Sequence, residues 1–185
     1  DHIYVGDLGG QIHRLDIWQN ADNSTSISQA LVAQLGRRGG SNGADADRRF
    51  FYPPSVALMQ DDNGKYVDLA IGSGLKTDPK NDVVNEHFYF IKDREPFGVA
   101  QEPVRHGDST LVQLQVVDED GDRMGGASIA PTAAVLEAAV ALYGPLELDA
   151  EKFLGSPLIV NGTAVFTTYH RTEDPEGASA ESGSD

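Results

Sequence analysis

The sequence has no cysteine, so neither a disulfide framework nor a thiolate metal site is open to it. No apolar run approaches the about 18 residues that a membrane-spanning helix needs, so no membrane insertion is expected of this segment. Basic residues are scarce: 14 Lys and Arg stand against 29 Asp and Glu, a net charge of −15. That balance argues against nucleic acid and anionic lipid, which require a basic face, and is compatible with cations and basic surfaces. There is a single tryptophan, Trp18. The chain opens on Asp1 instead of Met and reads as an excised segment, so the lack of a signal peptide does not bear on its parent.

What is present is an ordinary globular composition. Hydrophobic residues make up 39% and charged residues 23%, which sets the chain apart from disordered sequences. Its 185 residues suffice for one sizeable core.

Short β-rich runs recur between Gly, Asn and Asp. Residues 2–6 and 11–16 flank Asp7-Leu8-Gly9-Gly10 and predict a hairpin with a four-residue connection. Ile27, Leu31 and Leu35 recur with period four, which predicts a helix from about Ser26 to Leu35 capped by Gly36. Arg38 to Asp47 reads as an exposed loop. Pro53-Pro54 excludes a central ladder position within the apolar run 49–59. Asp61-Asp62-Asn63-Gly64 predicts a turn before a strand over 65–72, and 87–92 and 110–117 read as further strands. Residues 132–143 are Ala- and Leu-rich, begin after Pro131 and end at Gly144-Pro145, and predict the best helix in the chain. Asn161-Gly162 predicts a hairpin joining 157–161 to 163–169. The polar tail, 172–185, reads as disordered.

Strand, glycine-containing connection, strand and often a closing Asp recur at 3–16, 66–93 and 157–169. Antiparallel hairpins in series predict a mainly β fold: part of a β-propeller over 1–171 with one or two helical insertions.

Each chemistry-bearing feature also has a plainer reading. Asp118, Asp120 and Asp122 alternate around a turn, as hard-cation ligands do. Counting from Asp118, however, Arg123 and Ile129 stand where an EF-hand loop needs Gly and Glu, so an acidic surface turn is the better reading. Asp61-Asp62-Asn63-Gly64 is a hairpin turn before it is a metal site. Asp7 and Asp16 are better read as turn-fixing acceptors than as catalytic carboxylates, with Arg14 as an ion-pair partner. His2, His13, His87, His106 and His170 lack zinc-ligand spacing. There is no G-x-S-x-G elbow, and Gly6 to Gly10 leads into a strand instead of the helix a dinucleotide loop requires.

Five blocks, in order, resemble the propeller of the PilC/PilY family of type IV pilus biogenesis and tip-adhesin proteins. They are Tyr4-Val5-Gly6-Asp7-Leu8-Gly9-Gly10 with His13-Arg14-Leu15-Asp16; Arg48-Arg49-Phe50-Phe51-Tyr52 with Pro54; Ile71-Gly72-Ser73-Gly74; Phe88-Tyr89-Phe90-Ile91-Lys92-Asp93; and Glu151-Lys152 with Ser156-Pro157 and Val165-Phe166-Thr167-Thr168-Tyr169. Two departures stand out: Gly144 is followed by Pro145, where the family often has Gly-Trp, and the family's downstream cysteines are missing.

The resemblance implies a partial, modified, quinoprotein-like β-propeller, and in it a non-enzymatic module of a secreted or outer-membrane protein at the surface of a Gram-negative bacterium. It implies roles in pilus assembly and extension, adhesion and surface motility, with pilus components and a surface receptor as partners and no organic cofactor. Tyr4, Gly6, Asp7, Gly10, Arg14 and Asp16 are then structural blade residues. The family's calcium loop precedes this motif, so Asp1 is the expected remnant of that loop, and calcium is the cofactor to test. A quinoprotein (PQQ) dehydrogenase propeller is the enzymatic alternative, set against by the single Trp18. A general calcium-dependent extracellular binding module is the other.

Overall fold

A computed structural model describes residues 1–36, 46–96, 102–126, 130–146, 148 and 150–170. The chain is mainly β, with several small sheets and, among the described residues, one short α-helix. In chain order the elements are β1 (His2–Gly6), β2 (Gln11–Gln19), β3 (Thr25–Gln34), β4 (Ser55–Asp61), β5 (Gly64–Gly72), β6 (His87–Asp93), β7 (Val104–Arg105) and β8 (Leu111–Gln113). There follow β9 (Gln115–Val117), β10 (Arg123–Gly126), α1 (Ala133–Ala138), β11 (Ala141–Pro145), β12 (Lys152–Phe153), β13 (Leu158–Val160), β14 (Thr163–Val165) and β15 (Thr168–Tyr169).

Two sheets carry the fold. The first has the order β1-β2-β3-β7 and the second β4-β5-β6-β11-β8. All their pairings are antiparallel except β3 with β7 and β11 with β8. Three two-stranded pairs, β9–β10, β12–β15 and β13–β14, complete it. Neither large sheet closes into a barrel, and the described residues form no closed ring of blades.

Local chemistry sets the hairpins. The Asp7 carboxylate accepts from the Gly9 and Gln11 amides at 2.9 and 2.8 Å and holds the β1–β2 turn. Gly10 closes that turn at φ +73°, where a Cβ would lie 2.4 Å from Gly36 Cα, so the position needs glycine on both counts. Asp61 accepts from the Asn63 amide at 2.9 Å in the β4–β5 turn. Asn161 and Gly162 both take positive φ, 51° and 76°, as a two-residue hairpin connection requires.

Strand alternation then sorts the faces. In the first sheet Tyr4, Gly6, Ile12, Arg14, Ala30, Ala33 and Leu35 face inward. In the second, Val67, Leu69, Ile71, Tyr89, Ile91 and Ala141 do, and with Phe50 and Val104 they make one shared core. Gly6 lets the sheets approach, since a Cβ there would meet Phe50 Cβ at 2.7 Å and Ile71 Cδ1 at 2.9 Å.

Three expectations need correction. Residues 26–35 form strand β3, not a helix. The β2–β3 register shifts between Ile12 and His13, so that Ile12 pairs with Ala33 but His13 with Leu31. Ile27 and Leu31 share the outer face because a four-residue step is even in a strand, and the bulged Val32 turns Leu35 to the inner face, so the period of four joins residues of both faces. The helix expected over 132–143 stops at Ala138. It begins as expected, with the Val135 amide bonded to Thr132 Oγ1, but it buries no residue, and beyond propensity it has the Lys92 ammonium on its last carbonyls to hold it. Ala141–Pro145 instead fills the slot between β6 and β8, where Ala141 is fully buried. The strand expected over 110–117 breaks at Leu114, whose amide bonds Tyr143 O at 2.7 Å, so that β8 joins the second sheet and β9 pairs with β10. The expected loop falls mostly on 37–45, and the tail on 171–185, outside the described residues.

Candidate functional site

The β1–β2 motif builds a buried charge network between the sheets. Arg14 is only 2% exposed. Its Nη1 donates to Asp93 Oδ2 at 2.7 Å and to Glu95 O at 2.9 Å, and its Nε lies 2.8 Å from Asp16 Oδ1. Tyr4, directly across the ladder from Arg14, donates its hydroxyl to the same Asp93 oxygen at 2.9 Å. His2 Nδ1 sits 2.6 Å from Asp16 Oδ1. Strand β6 thus delivers one carboxylate to a hairpin that supplies the cation, a second carboxylate and a phenol.

Electrostatics fix these protons. Burial, and then Asp93, push the Tyr4 phenol well above its ordinary value. Burial disfavours the charge on Arg14, but bonds to Asp93 and Asp16 outweigh it and raise the guanidinium further. Asp16 is likewise opposed by burial, yet His2 and Arg14 leave it below the usual carboxylate range. Tyr4, Arg14 and Asp16 therefore keep their charge states across neutral pH, and the network works as a clamp and not as a proton relay.

A second buried cluster lies where β5 ends and β6 begins. Lys152 is fully buried, and its Nζ stands 3.6 Å from Glu86 Oε1. Arg48 donates through Nε to Asn85 O at 2.6 Å. Among the described residues Lys152 Nζ, Arg48 Nη1 and Glu86 Oε2 find no hydrogen-bond partner. Burial raises Glu86, with the Ser73 hydroxyl, Lys152 and Arg48 pulling it partly back. Beside it His87, His106, Tyr89 and Tyr143 pack as rings, with His87 and His106 centroids 5.7 Å apart. Burial and the Arg48 charge push His87 down to about 2, so it is neutral.

The residues named for cation binding lie apart. Asp1 continues the β1 ladder through Ile17 and lines a groove of about 430 Å³ with His2, Asp16, Trp18 and Ser28. At the acidic turn, Asp118 Oδ1 accepts from the Asp120 and Asp122 amides at 3.1 and 2.8 Å, so its carboxylate is spent on the backbone. No group of three His, Asp or Glu among the described residues is placed to hold a metal ion. Sequence reasoning named Asp93 only as a strand-closing residue and missed Glu86. The recurring closing Asp was the available signal for the first; nothing local marks the second.

The far side of the first sheet has a different character. Ile3, Val5 and Ile27 are exposed there, Ile27 by 65%, and Leu15, Ile17 and Leu31 share that face half-buried. Among the described residues no helix is long and apolar enough to cross a membrane. Compared with protein-family models, curated proteins and solved structures, the chain matches none.

Proposed function

We propose that the chain is a stacked-sheet portion of a modified β-propeller in a pilus-associated surface protein of the PilC/PilY type. In this reading it acts by binding and scaffolding, without catalysis, and supports pilus assembly and adhesion. The observation that carries the reading is the two-sided first sheet. Its inner face is clamped to the second sheet through Arg14, Asp93 and Tyr4. Its outer face presents Ile3, Val5, Leu15, Ile17, Ile27 and Leu31. The same face also carries His13, Gln19 and Gln29, and this mixture of apolar and polar side chains suits a blade with a neighbour beyond it better than a wholly polar outer face does. The strand count of about four per blade also suits the first sheet, with the short parallel β7 as its last member.

The test is made in the bacterium that carries the full protein. Ile27→Lys, on the outer face, is expected to abolish surface pili and surface motility while secreted protein levels stay unchanged. Normal piliation with Ile27→Lys would overturn the reading.

A further inference from the structure

The second sheet reaches one strand farther than the first on the β4 side. Gly6 of β1 lies over β5, where a Cβ would meet Ile71 Cδ1 at 2.9 Å. Arg14 of β2 reaches Asp93 at the end of β6, and His106, next to β7, packs its ring 5.4 Å from that of Tyr143 on β11. In this order β4 falls beyond β1. The burial of β4 shows the consequence. Val56 and Leu58 pair with Leu69 and Val67 and share the inward face of the sheet, yet they are 49% and 66% exposed. Ser55, Ala57 and Met59, on the outward face, are half-buried. An inward face more exposed than the outward one marks where the overlying sheet stops short.

β1 is the strand at which it stops. The Ile17 amide donates to Asp1 O at 2.8 Å and the Asp7 amide to Gln11 O at 2.9 Å, which sets the phase of the ladder. Ile3 and Val5 therefore bond β2, while Tyr4 and Gly6 point their amides and carbonyls away from it. Among the described residues nothing pairs with those backbone groups. β1 also carries no Lys or Pro, residues that guard an edge against pairing.

We propose that this edge takes a β-strand from a partner protein: an extended segment, apolar at every second position, that bonds Tyr4 and Gly6 and lays its inward side chains on Val56 and Leu58. One added strand satisfies both the unpaired backbone groups and the uncovered apolar side chains. The chain itself offers no such strand. Residues 37–45 and 171–185 contain no Val, Ile, Leu, Met or aromatic residue, and the other stretches outside the described residues are too short to lay a strand there and return. A second copy is set against by the overhang, since its own β4 would meet Val56 and Leu58 first, and by the like charge of −15 on each chain. The same charge favours Lys and Arg at the partner's remaining positions.

The probe is acetyl-KVKVTVK-amide, with acetyl-VVKKTKV-amide, of equal composition and broken alternation, as control. In the whole chain, labelled for amide and methyl NMR, the alternating probe is expected to shift the Tyr4 and Gly6 amides and the Val56 and Leu58 methyls saturably. The control is expected to shift none of them. N-methylating every second residue of the probe blocks one of its edges: one phase of methylation should abolish binding and the other leave it. Leu58→Ser changes an exposed side chain and should weaken binding about tenfold. Four results would overturn the proposal: no shift at Tyr4 and Gly6, equal shifts with the control, binding that survives methylation in both phases, or undiminished affinity in Leu58→Ser. A dimer that forms without probe and is lost on Leu58→Ser would also overturn it, and would assign the edge to a second copy. The two-probe comparison needs no variant, and its outcome is independent of the pilus reading, which rests on the outer face of the first sheet.

Discussion

The two buried charge clusters differ in how completely they are paired. Around Arg14, two carboxylates, a backbone carbonyl and a phenol converge at 2.7–2.9 Å. Around Lys152, one carboxylate stands at 3.6 Å and three polar atoms lack hydrogen-bond partners among the described residues, whereas around Arg14 the one such guanidinium atom, Nε, still has Asp16 Oδ1 at 2.8 Å. Both lie within the protein, yet only the first has the geometry that offsets the cost of desolvating a charge. The difference follows from position. Arg14 sits in mid-strand, where alternation aims it between the sheets at Asp93, the last residue of β6. Lys152 lies on a two-residue strand, where Phe153 crowds Gly72 so closely that a Cβ there would overlap its ring.

The largest effect is therefore expected from breaking the complete cluster. Asp93→Ala strips Arg14 and Tyr4 of their shared acceptor and leaves a buried guanidinium that cannot give up its proton. The expected loss is about 3–5 kcal/mol in urea unfolding, enough to unfold a marginal domain. A loss under about 1 kcal/mol would show that the clamp contributes little beyond its neighbours' packing.

Lys152→Met should cost less, about 1–3 kcal/mol at pH 7, because the group left behind can discharge itself. Glu86 is already raised by burial. In such a case the native state binds more protons than the unfolded state above the ordinary carboxylate value, so stability falls as pH rises through that window. Removing Lys152 raises Glu86 further. The deficit of the variant is thus expected to narrow as pH is lowered from 7 toward 5. Asp93→Ala should show no such recovery, since Arg14 stays charged throughout. Parallel pH dependence of the two variants would erase the distinction between the clusters.

The same contrast explains what could be read in the sequence. The turns at Asp7 to Gly10, Asp61 to Gly64 and Asn161-Gly162 were legible because their chemistry is local: short acceptors and residues tolerant of positive φ. β3 was not, because a four-residue step also satisfies strand alternation, as Ile27 and Leu31 do on the outer face, so the spacing alone does not separate strand from helix. β11 was not, because a sequence of helical propensity is drawn into a vacant slot between strands, and burial outweighs propensity. The clamp was half legible. Arg14 and Asp16 belong to one hairpin, while Asp93 reaches them only through tertiary packing. The Glu86–Lys152 pair depends wholly on how distant strands meet, and no spacing announces it.

The smallest effect is expected where the first sheet faces outward, and there it is informative because it is small. Ile27 is 65% exposed, pairs across the ladder with Ile17, and touches no part of the buried core. Ile27→Lys should change the stability of the isolated chain by no more than about 0.5 kcal/mol, since an exposed strand position accepts either side chain. Set beside Asp93→Ala, which strips Arg14 on the inner face of its acceptor across the interface, this separates the two faces of the first sheet: the inner face holds the two sheets together, and the outer face contributes little to that. A loss comparable to that of Asp93→Ala would mean that the outer face already contributes to the fold by itself. An unchanged urea midpoint, together with lost piliation in the full protein, would place the apolar outer surface in an interface with a neighbouring sheet.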